Sequence, residues 1–325
     1  MSKFYPLKVK EIIRETPEAV SISFDIPNDL RETFSFKAGQ YITIQTHYKG
    51  KEVRRSYSLC SMPGSDDFKV TVKEVPNGGF SVYANNVLKA GDVLEVHPPE
   101  GKFVFEPGQR SGNYAGFAAG SGITPILSII KTVLVKEPGS TFVLVYGNRT
   151  VEGTIFYKEL LDLQLKYPER FFTEFIYSRS REENSQFGRI ETSTVNYVLK
   201  NKFKETGFDK YYLCGPEEMI FNVADILKSE GVTEENIHFE LFTTSDTGAV
   251  ETGVEGEVQL TITVDDESSV FTMDNEKTVL DVALENDIDV PYSCQGGICS
   301  SCIARITEGT ATMRKNMILT DSEIA

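Results

Sequence analysis

Several features that would define other classes of protein are missing from this sequence. No run of eighteen consecutive apolar residues occurs, and the N-terminus has no apolar segment of the kind found in secretory signals. Five cysteines among 325 residues are too few for a disulfide framework and suit a reducing compartment. These absences predict a cytoplasmic protein without membrane insertion.

Positive charge is also scarce. The chain has 33 Lys and Arg against 48 Asp and Glu, which gives a formal net charge of −15. Nucleic acids and anionic membranes require basic patches, so neither is expected as a partner. Residues 257–325 alone hold thirteen Asp or Glu against four Lys or Arg. This acidic segment could steer a basic protein partner or could simply keep the protein soluble, and both interpretations stay open.

The length of the chain favours two or three domains. Residues 1–108 contain short alternating or β-branched runs between Gly, Pro and Asn turns, which predict an antiparallel β-barrel. Residues 112–242 alternate strand and helix patterns, which predicts an α/β domain with a doubly wound parallel sheet. Residues 243–256 are rich in Gly, Ser, Thr and acids and predict a linker to a third domain at 257–325.

The individual elements can be placed within these segments. Predicted strands are 19–24, 41–46, 69–73, 92–97, 114–119, 141–146, 172–177, 210–214 and 237–242, with a hairpin at 258–264 and 269–273. Predicted helices are 124–136, 157–166, 192–202, 216–229 and 278–286.

The most specific motif lies in the third segment. Cys294, Cys299 and Cys302 have the spacing C-x4-C-x2-C, which is the ligand pattern of a plant-type [2Fe-2S] cluster. Such a cluster needs four thiolates, and no cysteine follows Cys302. Neither Cys60 nor Cys214 belongs to a C-x2-C pair. We therefore expect three metal ligands here, a missing fourth, and a C-terminus that is shortened or incompletely ordered.

Two short motifs in the first segment suit a flavin. The run Arg55–Ser58 offers a guanidinium for phosphate, hydroxyl donors and a flat phenol that can lie against an isoalloxazine ring. Further on, Gly78 and Gly79 allow backbone amides to approach an anion, and Ser81 can donate to the same phosphate. An ordinary edge strand and a simple Gly-Gly turn remain the alternatives to these interpretations.

A glycine-rich motif follows the first strand of the second segment. Gly120 and Gly122 bring bare backbone to the start of a helix, where free amides attract phosphate. Thr124 is expected at the capping position before Pro125. No Lys follows the glycines, so the motif is not a Walker A loop, and dinucleotide binding is the better prediction.

Two more strand ends fall at the same edge of the predicted sheet. Cys214–Pro216 ends one strand and opens a helix where open α/β folds bind ligands, although a buried structural thiol is the alternative. Tyr177–Arg181 carries two Arg and two Ser that could hold an adenosine 2′-phosphate, or could form a solvated basic turn.

In this order, the motifs resemble those of the ferredoxin-NADP reductase superfamily. The similar branch fuses a flavin-binding barrel and a nicotinamide domain to a C-terminal plant-type ferredoxin domain, which has an α+β (β-grasp) fold. The resemblance covers nearly all of the chain. The residues that carry it are Arg55–Ser58, Gly79–Ser81, Gly120–Pro125, Tyr146–Arg149, Cys214–Pro216, Phe239–Phe242 and the cysteine loop.

The resemblance implies FAD more often than FMN, a [2Fe-2S] cluster, and NADPH or NADH as the substrate. Tyr57, Cys214 and Glu240 become candidate catalytic residues. The candidate cofactor-binding residues are Arg55, Ser56, Tyr57, Ser58, Val72, Lys73, Gly79, Phe80, Ser81, Gly120, Gly122, Thr124, Ser178, Arg179, Cys214, Gly215, Pro216 and Phe242.

The implied activity is electron transfer from NAD(P)H through flavin and cluster to a protein acceptor, such as the oxygenase component of a diiron or Rieske system. Two alternatives remain at this stage. The protein could be a stand-alone flavin reductase or diaphorase, or an electron-transfer subunit that binds cofactors without turnover of its own. The sequence does not decide between NADH and NADPH, and it does not give the oligomeric state.

Overall fold

The computed structural model divides the chain into two compact units, and each is described by itself. One unit is Tyr5–Phe242, and the other contains residues 243–325 together with the first four residues. The residues described are 3–48, 51–76, 78–242, 258–264, 266–273, 277–286, 288, 290–292, 296–297, 301–316 and 319–324.

The first half of the larger unit is a six-stranded antiparallel barrel. Its strands are β1 (Tyr5–Thr16), β2 (Ala19–Asp25), β3 (Tyr41–Tyr48), β4 (Lys51–Ser58), β5 (Phe68–Lys73) and β6 (Val93–Glu100). They are ordered β4-β3-β6-β1-β2-β5. An antiparallel bridge between Leu59 and Val70 joins the two outer strands and closes the barrel. The predicted barrel and its four predicted strands are confirmed.

The barrel also contains a helix that the sequence analysis missed. Helix α1 (Gly79–Asn86) follows β5, where only strands and a glycine turn were expected. Phe80 and Ala84 are four residues apart, share one helix face, and are each 1% exposed in the barrel core. The buried Asn85 amide donates to the Val72 and Ser81 carbonyls at 3.1 and 2.9 Å. Tertiary burial therefore stabilises a helix that its Gly and Asn residues do not favour.

The second half of the larger unit is a parallel sheet with helices. Its strands are β7 (Asn113–Ala119), β8 (Thr141–Asn148), β9 (Phe171–Tyr177), β10 (Gln186–Phe187), β11 (Lys210–Gly215) and β12 (Ile237–Leu241). Its helices are α2 (Ile123–Lys136), α3 (Tyr157–Lys166), α4 (Thr192–Asn196) and α5 (Glu217–Ser229). The strands are ordered β10-β9-β8-β7-β11-β12. From β7 the chain adds β8, β9 and β10 on one side and then returns to add β11 and β12 on the other side. This change of side between β7 and β11 confirms the doubly wound sheet.

Two details of this half differ from the sequence predictions. The short strand β10 was not predicted, because two residues are too few to show a period. The predicted helix 192–202 is an α-helix only as far as Asn196 and continues as a π-helix over Tyr197–Lys202. The described part of the chain contains no helix with both the length and the apolar character needed to cross a bilayer.

The smaller unit contains an antiparallel hairpin of β13 (Val258–Val264) and β14 (Glu267–Met273), then α6 (Val279–Glu285) and α7 (Asp321–Ile324). The predicted hairpin and helix are confirmed. Thr278 and Asp281 form a capping box at the start of α6, with Asp281 N donating to Thr278 Oγ1 at 3.1 Å. The predicted linker and the candidate ligands Cys294 and Cys299 lie outside the described residues.

Candidate active site

The glycine-rich loop and the end of β11 meet where the sheet changes direction. A Cβ atom on Gly122 would lie 2.1 Å from the carbonyl oxygen of Cys214, so only glycine allows this approach. Gly215 is similarly close to the strand before the loop, with a built Cβ 3.1 Å from Ala119 N. Two predicted nucleotide motifs are thereby brought together at the carboxyl edge of the sheet, where open α/β folds bind ligands.

The loop itself is open on the side of Gly120. This residue has φ +54°, and no described heavy atom lies within 4 Å of the position a Cβ would take. The Tyr146 hydroxyl donates to the Gly120 carbonyl at 2.9 Å and holds the loop in place. The open space beside Gly120, just before the 14-residue helix α2, suits an anionic phosphate.

Thr124 does not occupy the predicted capping position. Helix α2 begins at Ile123, and Gly122 is its N-cap residue. Thr124 lies inside the first turn, where its hydroxyl donates to the Ser121 carbonyl at 3.0 Å. The prediction was wrong because Gly120–Gly122 forms a 3-10 turn that leads directly into the helix.

Cys214 is a buried thiol with a carboxyl group as its neighbour. It is 0% exposed, and in the parallel pairing of β11 with β12 it lies opposite Glu240. Burial raises the pKa of the Cys214 thiol well above its usual value, and the nearby Glu240 carboxylate raises it further. The thiol therefore stays neutral at physiological pH and is not suited to nucleophilic attack.

Glu240 connects the parallel sheet to the barrel. Ser58 Oγ, the last residue of β4, donates to Glu240 Oε2 at 3.2 Å across 182 residues of sequence. Burial raises the pKa of the Glu240 carboxyl to about 8, while the hydrogen bond from Ser58 opposes that rise. The carboxyl can therefore hold or release a proton near neutral pH. The structure thus places one flavin-motif residue and two candidate catalytic residues in one location.

The rest of the barrel motif surrounds this location. The Tyr57 ring packs at 5.4 Å from Phe80, and burial raises the pKa of its phenol, so the ring stays neutral. Arg55 is exposed and donates from Nη1 to the Arg54 carbonyl at 2.7 Å. Ser56 Oγ lies 3.1 Å from Thr43 Oγ1 on the neighbouring strand. An exposed guanidinium beside a neutral aromatic ring can take the phosphate and ring of a flavin.

The predicted phosphate residues after β5 lie at the start of α1. Val75 N donates to Ser81 Oγ at 3.2 Å, which leaves the Ser81 hydroxyl proton for another acceptor. Val72 and Phe80 point into the barrel core at 0 and 1% exposure, so only their backbone can contact a ligand. Lys73 is the last residue of β5, and its Nζ lies 3.9 Å from Glu18 Oε2. Gly79 is the first residue of α1.

A second group of polar residues lies at the end of β8, just after β9 and on β10. Ser178 Oγ donates to the Asn148 carbonyl at 3.4 Å, and Arg179 is exposed. Ser180 belongs to the predicted Tyr177–Arg181 run, whereas the sequence analysis missed Gln186. The buried Ser180 Oγ and Gln186 Nε2 atoms have no hydrogen-bond partner within the described part of the chain. Buried polar atoms are rarely left unpaired, so these two indicate where a polar ligand is expected. The strand β10, invisible in the sequence, is what brings Gln186 to this edge.

The remaining predicted residues of the parallel-sheet half lie directly after strands β11 and β12. Pro216 precedes α5, where it ends β11 and starts the helix, and Phe242 follows β12 with 36% of its surface exposed. Cys302 is partly exposed. Within the described ranges, no three His, Cys, Asp or Glu side chains are grouped to hold a metal ion. Because Cys294 and Cys299 lie outside the described residues, this geometry does not test the predicted cluster ligands.

Comparison with known proteins agrees with this organisation. Residues 6–105 match the oxidoreductase FAD-binding domain, residues 117–225 match the oxidoreductase NAD-binding domain, and residues 262–325 match the 2Fe-2S iron-sulfur cluster binding domain. The chain belongs to the family of NAD(P)H-dependent flavin and iron-sulfur oxidoreductases that combines these three domains.

Two relatives and one solved structure cover almost the whole chain. A component of the 1,2-phenylacetyl-CoA epoxidase from Escherichia coli is 36% identical over 100% of this chain and 93% of its own. The ferredoxin reductase component of 3-ketosteroid-9-alpha-monooxygenase from Rhodococcus rhodochrous is 32% identical over 98% and 90%. The structure of phthalate dioxygenase reductase is 25% identical, with a TM-score of 0.64 over 98% and 91%.

FAD, NAD(P)H and a [2Fe-2S] cluster are the cofactors and substrate of this family, and the described residues fit the first two. The open space at Gly120 and the unpaired Ser180 and Gln186 atoms fit a nucleotide. The exposed Arg55 beside the Tyr57 ring fits a flavin. The predictions of FAD, NAD(P)H and the cluster are therefore confirmed at the level of the family.

Proposed function

We propose that this protein is the reductase component of an oxygenase system and passes electrons from NAD(P)H singly to a protein acceptor. The observation that carries the proposal is the contact between Ser58 of the barrel and Glu240 of the parallel sheet. This contact brings the candidate flavin motif and the candidate nicotinamide motif to the same place, which hydride transfer between two cofactors requires.

The cofactors supply the redox chemistry, since bound FAD accepts a hydride and releases electrons one at a time to a one-electron centre. The protein supplies position. The amides of Gly120–Gly122 and the start of α2 are proposed to bind the nucleotide phosphates, and Cys214–Pro216 to border the nicotinamide. Arg55 and the start of α1 are proposed to hold the flavin phosphates, with Tyr57 against the ring.

Glu240 is proposed to manage a proton beside these rings. Its raised pKa keeps the carboxyl largely protonated at neutral pH, and Ser58 gives it a fixed orientation. A neutral carboxyl can donate a hydrogen bond or a proton, whereas an ionised one would repel the electron-rich flavin that results from hydride transfer.

The proposed acceptor is the oxygenase component of a diiron system of the phenylacetyl-CoA epoxidase type. Two observations support this choice over other acceptors. The motifs of the sequence resemble those of such a reductase, and the 36% identity to the Escherichia coli epoxidase component covers the complete chain. Relatives of lower identity are named for other oxygenases, so the acceptor class is better supported than the substrate.

Stopped-flow absorbance tests the proposed electron path. Protein loaded with flavin and cluster is mixed with NADH or NADPH, and we expect flavin bleaching followed by loss of cluster absorbance. Reoxidation should accelerate when the oxygenase component is added. Flavin bleaching without later cluster reduction would instead favour a stand-alone flavin reductase. Flavin binding without any nucleotide oxidation would favour an electron-transfer subunit without turnover.

A further inference from the structure

Two side chains of helix α2 donate hydrogen bonds to the barrel, and none of the residues in these bonds belongs to a cofactor motif. The Ser128 hydroxyl donates to the Ser61 carbonyl at 2.6 Å, and the two residues are 0 and 2% exposed. One turn further along the same face, Lys131 Nζ donates to the Cys60 carbonyl at 3.2 Å. Two consecutive barrel carbonyls are thus held by two side chains of one helix.

The position of these bonds links the two halves of the candidate site. The barrel residues that accept them come directly after β4, which ends at Ser58 in the flavin motif. The helix that donates them begins directly after the nucleotide loop Gly120–Gly122. We call Ser128, Lys131 and the carbonyls of Cys60 and Ser61 the α2 clamp. It is distinct from the Ser58–Glu240 contact, which joins the same barrel segment to β12 instead.

Each side of the α2 clamp is itself held in place. On the barrel side, Cys60 N donates to the Lys69 carbonyl at 2.9 Å, and the residue is fully buried. On the helix side, Lys131 pairs with Glu159 of α3 at 2.6 Å. Hydrogen bonds between groups that are themselves held in place and largely buried are stronger and less mobile than surface bonds.

We propose that Ser128 and Lys131 are positioning residues for hydride transfer, because the α2 clamp fixes the distance between the flavin motif and the nucleotide loop. This inference rests on the proposed function. Ser128 is fully buried against Ser61 and therefore presents no surface to a ligand, so its role is to set geometry rather than to bind. Hydride transfer depends steeply on donor-acceptor distance, and a misplacement of about 1 Å can cost roughly a hundredfold in rate.

The test compares Ser128→Ala and Lys131→Met with matched controls. Thr132→Val removes an equally buried hydroxyl that bonds only within α2, and Lys131→Arg retains a cationic donor. Flavin reduction by NADPH and NADH, with hydrogen or deuterium at the transferred position, is followed by stopped flow at increasing nucleotide concentrations. Lys131 is partly exposed, so its variants remain informative if Ser128→Ala does not fold.

We expect the limiting reduction rate to fall about 10- to 100-fold in both test variants while the apparent nucleotide affinity changes less than about twofold. The isotope effect should become more temperature-dependent, and both controls should match the wild type. In cofactor-free protein, amide exchange of residues 58–61 should be about tenfold faster in the test variants than in Thr132→Val.

Other results would overturn the inference. Limiting rates equal to wild type in folded Ser128→Ala and Lys131→Met would do so, as would an equal loss in Thr132→Val, or a change confined to nucleotide affinity. Wild-type protein that neither nucleotide reduces would contradict the proposed function instead. Amide exchange that is unchanged in the test variants would then still count against the clamp.

Discussion

Gly122 packs so closely on Cys214 that a methyl group in its place would overlap the carbonyl carbon and oxygen of that residue, at 2.4 and 2.1 Å. The contact joins the loop after β7 to the end of β11. These two strands are neighbours at the point where the chain changes from one side of the sheet to the other. Because the obstructing atoms are backbone, they cannot move aside as the end of a flexible side chain could. The relative position of the two nucleotide motifs therefore depends on the absence of one side chain.

Gly122→Ala should separate the loop from β11. We expect the limiting rate of flavin reduction to fall at least tenfold and the free energy of unfolding to drop by about 2 kcal/mol, since backbone must shift to relieve the overlap. Urea denaturation and stopped-flow reduction measure the two effects. Gly207→Ala is the matched control, because no described atom lies near its Cβ position and its φ is not positive. Equal stability and rate in both variants would contradict the packing argument.

Glu240 should make stability depend on pH. Its pKa is about 8 in the folded protein against a reference value of 4.5, so only the folded state holds the proton between those values. Raising the pH through this window should therefore lower the free energy of unfolding. We expect a decrease of about 2 kcal/mol, which is less than the whole pKa shift would give because the carboxyl is partly exposed to solvent. Below pH 4.5 the contribution is fully present, and above pH 8 it is lost.

Comparison with Glu240→Gln isolates this contribution from the other titrating groups. The difference in unfolding free energy between wild type and variant, measured by urea denaturation from about pH 4.5 to about pH 8.5, should shift against the wild type as the pH rises. A difference that stays constant across this range would show that the carboxyl is already ionised at low pH in the folded protein.

Arg179 should affect the choice between the two nicotinamide nucleotides. It is exposed beside Ser178 and the unpaired Ser180 hydroxyl, where an adenosine 2′-phosphate could be bound. Arg179→Ala should weaken NADPH binding about 10- to 100-fold, because a charge-assisted contact is lost, and should leave NADH binding nearly unchanged. Titration with both nucleotides checks this, and the exposed Arg31 in the barrel half supplies a control substitution. Equal weakening of both nucleotides would argue against a 2′-phosphate site.

Phe80 should link barrel stability to flavin binding. It is 1% exposed on the buried face of α1, and its ring centroid lies 5.4 Å from that of Tyr57. Phe80→Ala should cost about 3 kcal/mol of unfolding free energy through the cavity it leaves, and should weaken flavin retention. The flavin absorbance of the protein after gel filtration, compared between variant and wild type, measures the flavin that stays bound. Val87→Ala, at a position that is 63% exposed, should change neither quantity measurably.

Much of the architecture could be predicted because its signals are local. Alternating runs such as Ala19–Phe24 and buried runs such as Tyr114–Ala119 show their strand period within a few residues, and the structure contains both. The glycine loop before α2 was likewise visible from the strand, the glycines and the helix that surround it. These patterns required no knowledge of distant residues.

The elements that the sequence analysis missed or misplaced depend on contacts with other parts of the chain. Helix α1 was missed because Phe80 and Ala84 are stabilised by the barrel core rather than by helix propensity. Thr124 was misplaced because the preceding 3-10 turn moves the start of α2. Strand β10, with two residues, has no period of its own and exists only through its pairing with β9.

The amino-acid order alone determined the barrel, the doubly wound sheet, the family and the residue types able to hold a flavin and a nucleotide, since short-range periods and motifs encode them. Only the tertiary structure decided that Ser58 donates to Glu240, that Cys214 lies opposite that carboxyl, and that Ser128 and Lys131 hold the barrel. The hydrogen bonds among these relationships join residues 67 to 182 positions apart, and folding into a shared core is what brings them within bonding distance.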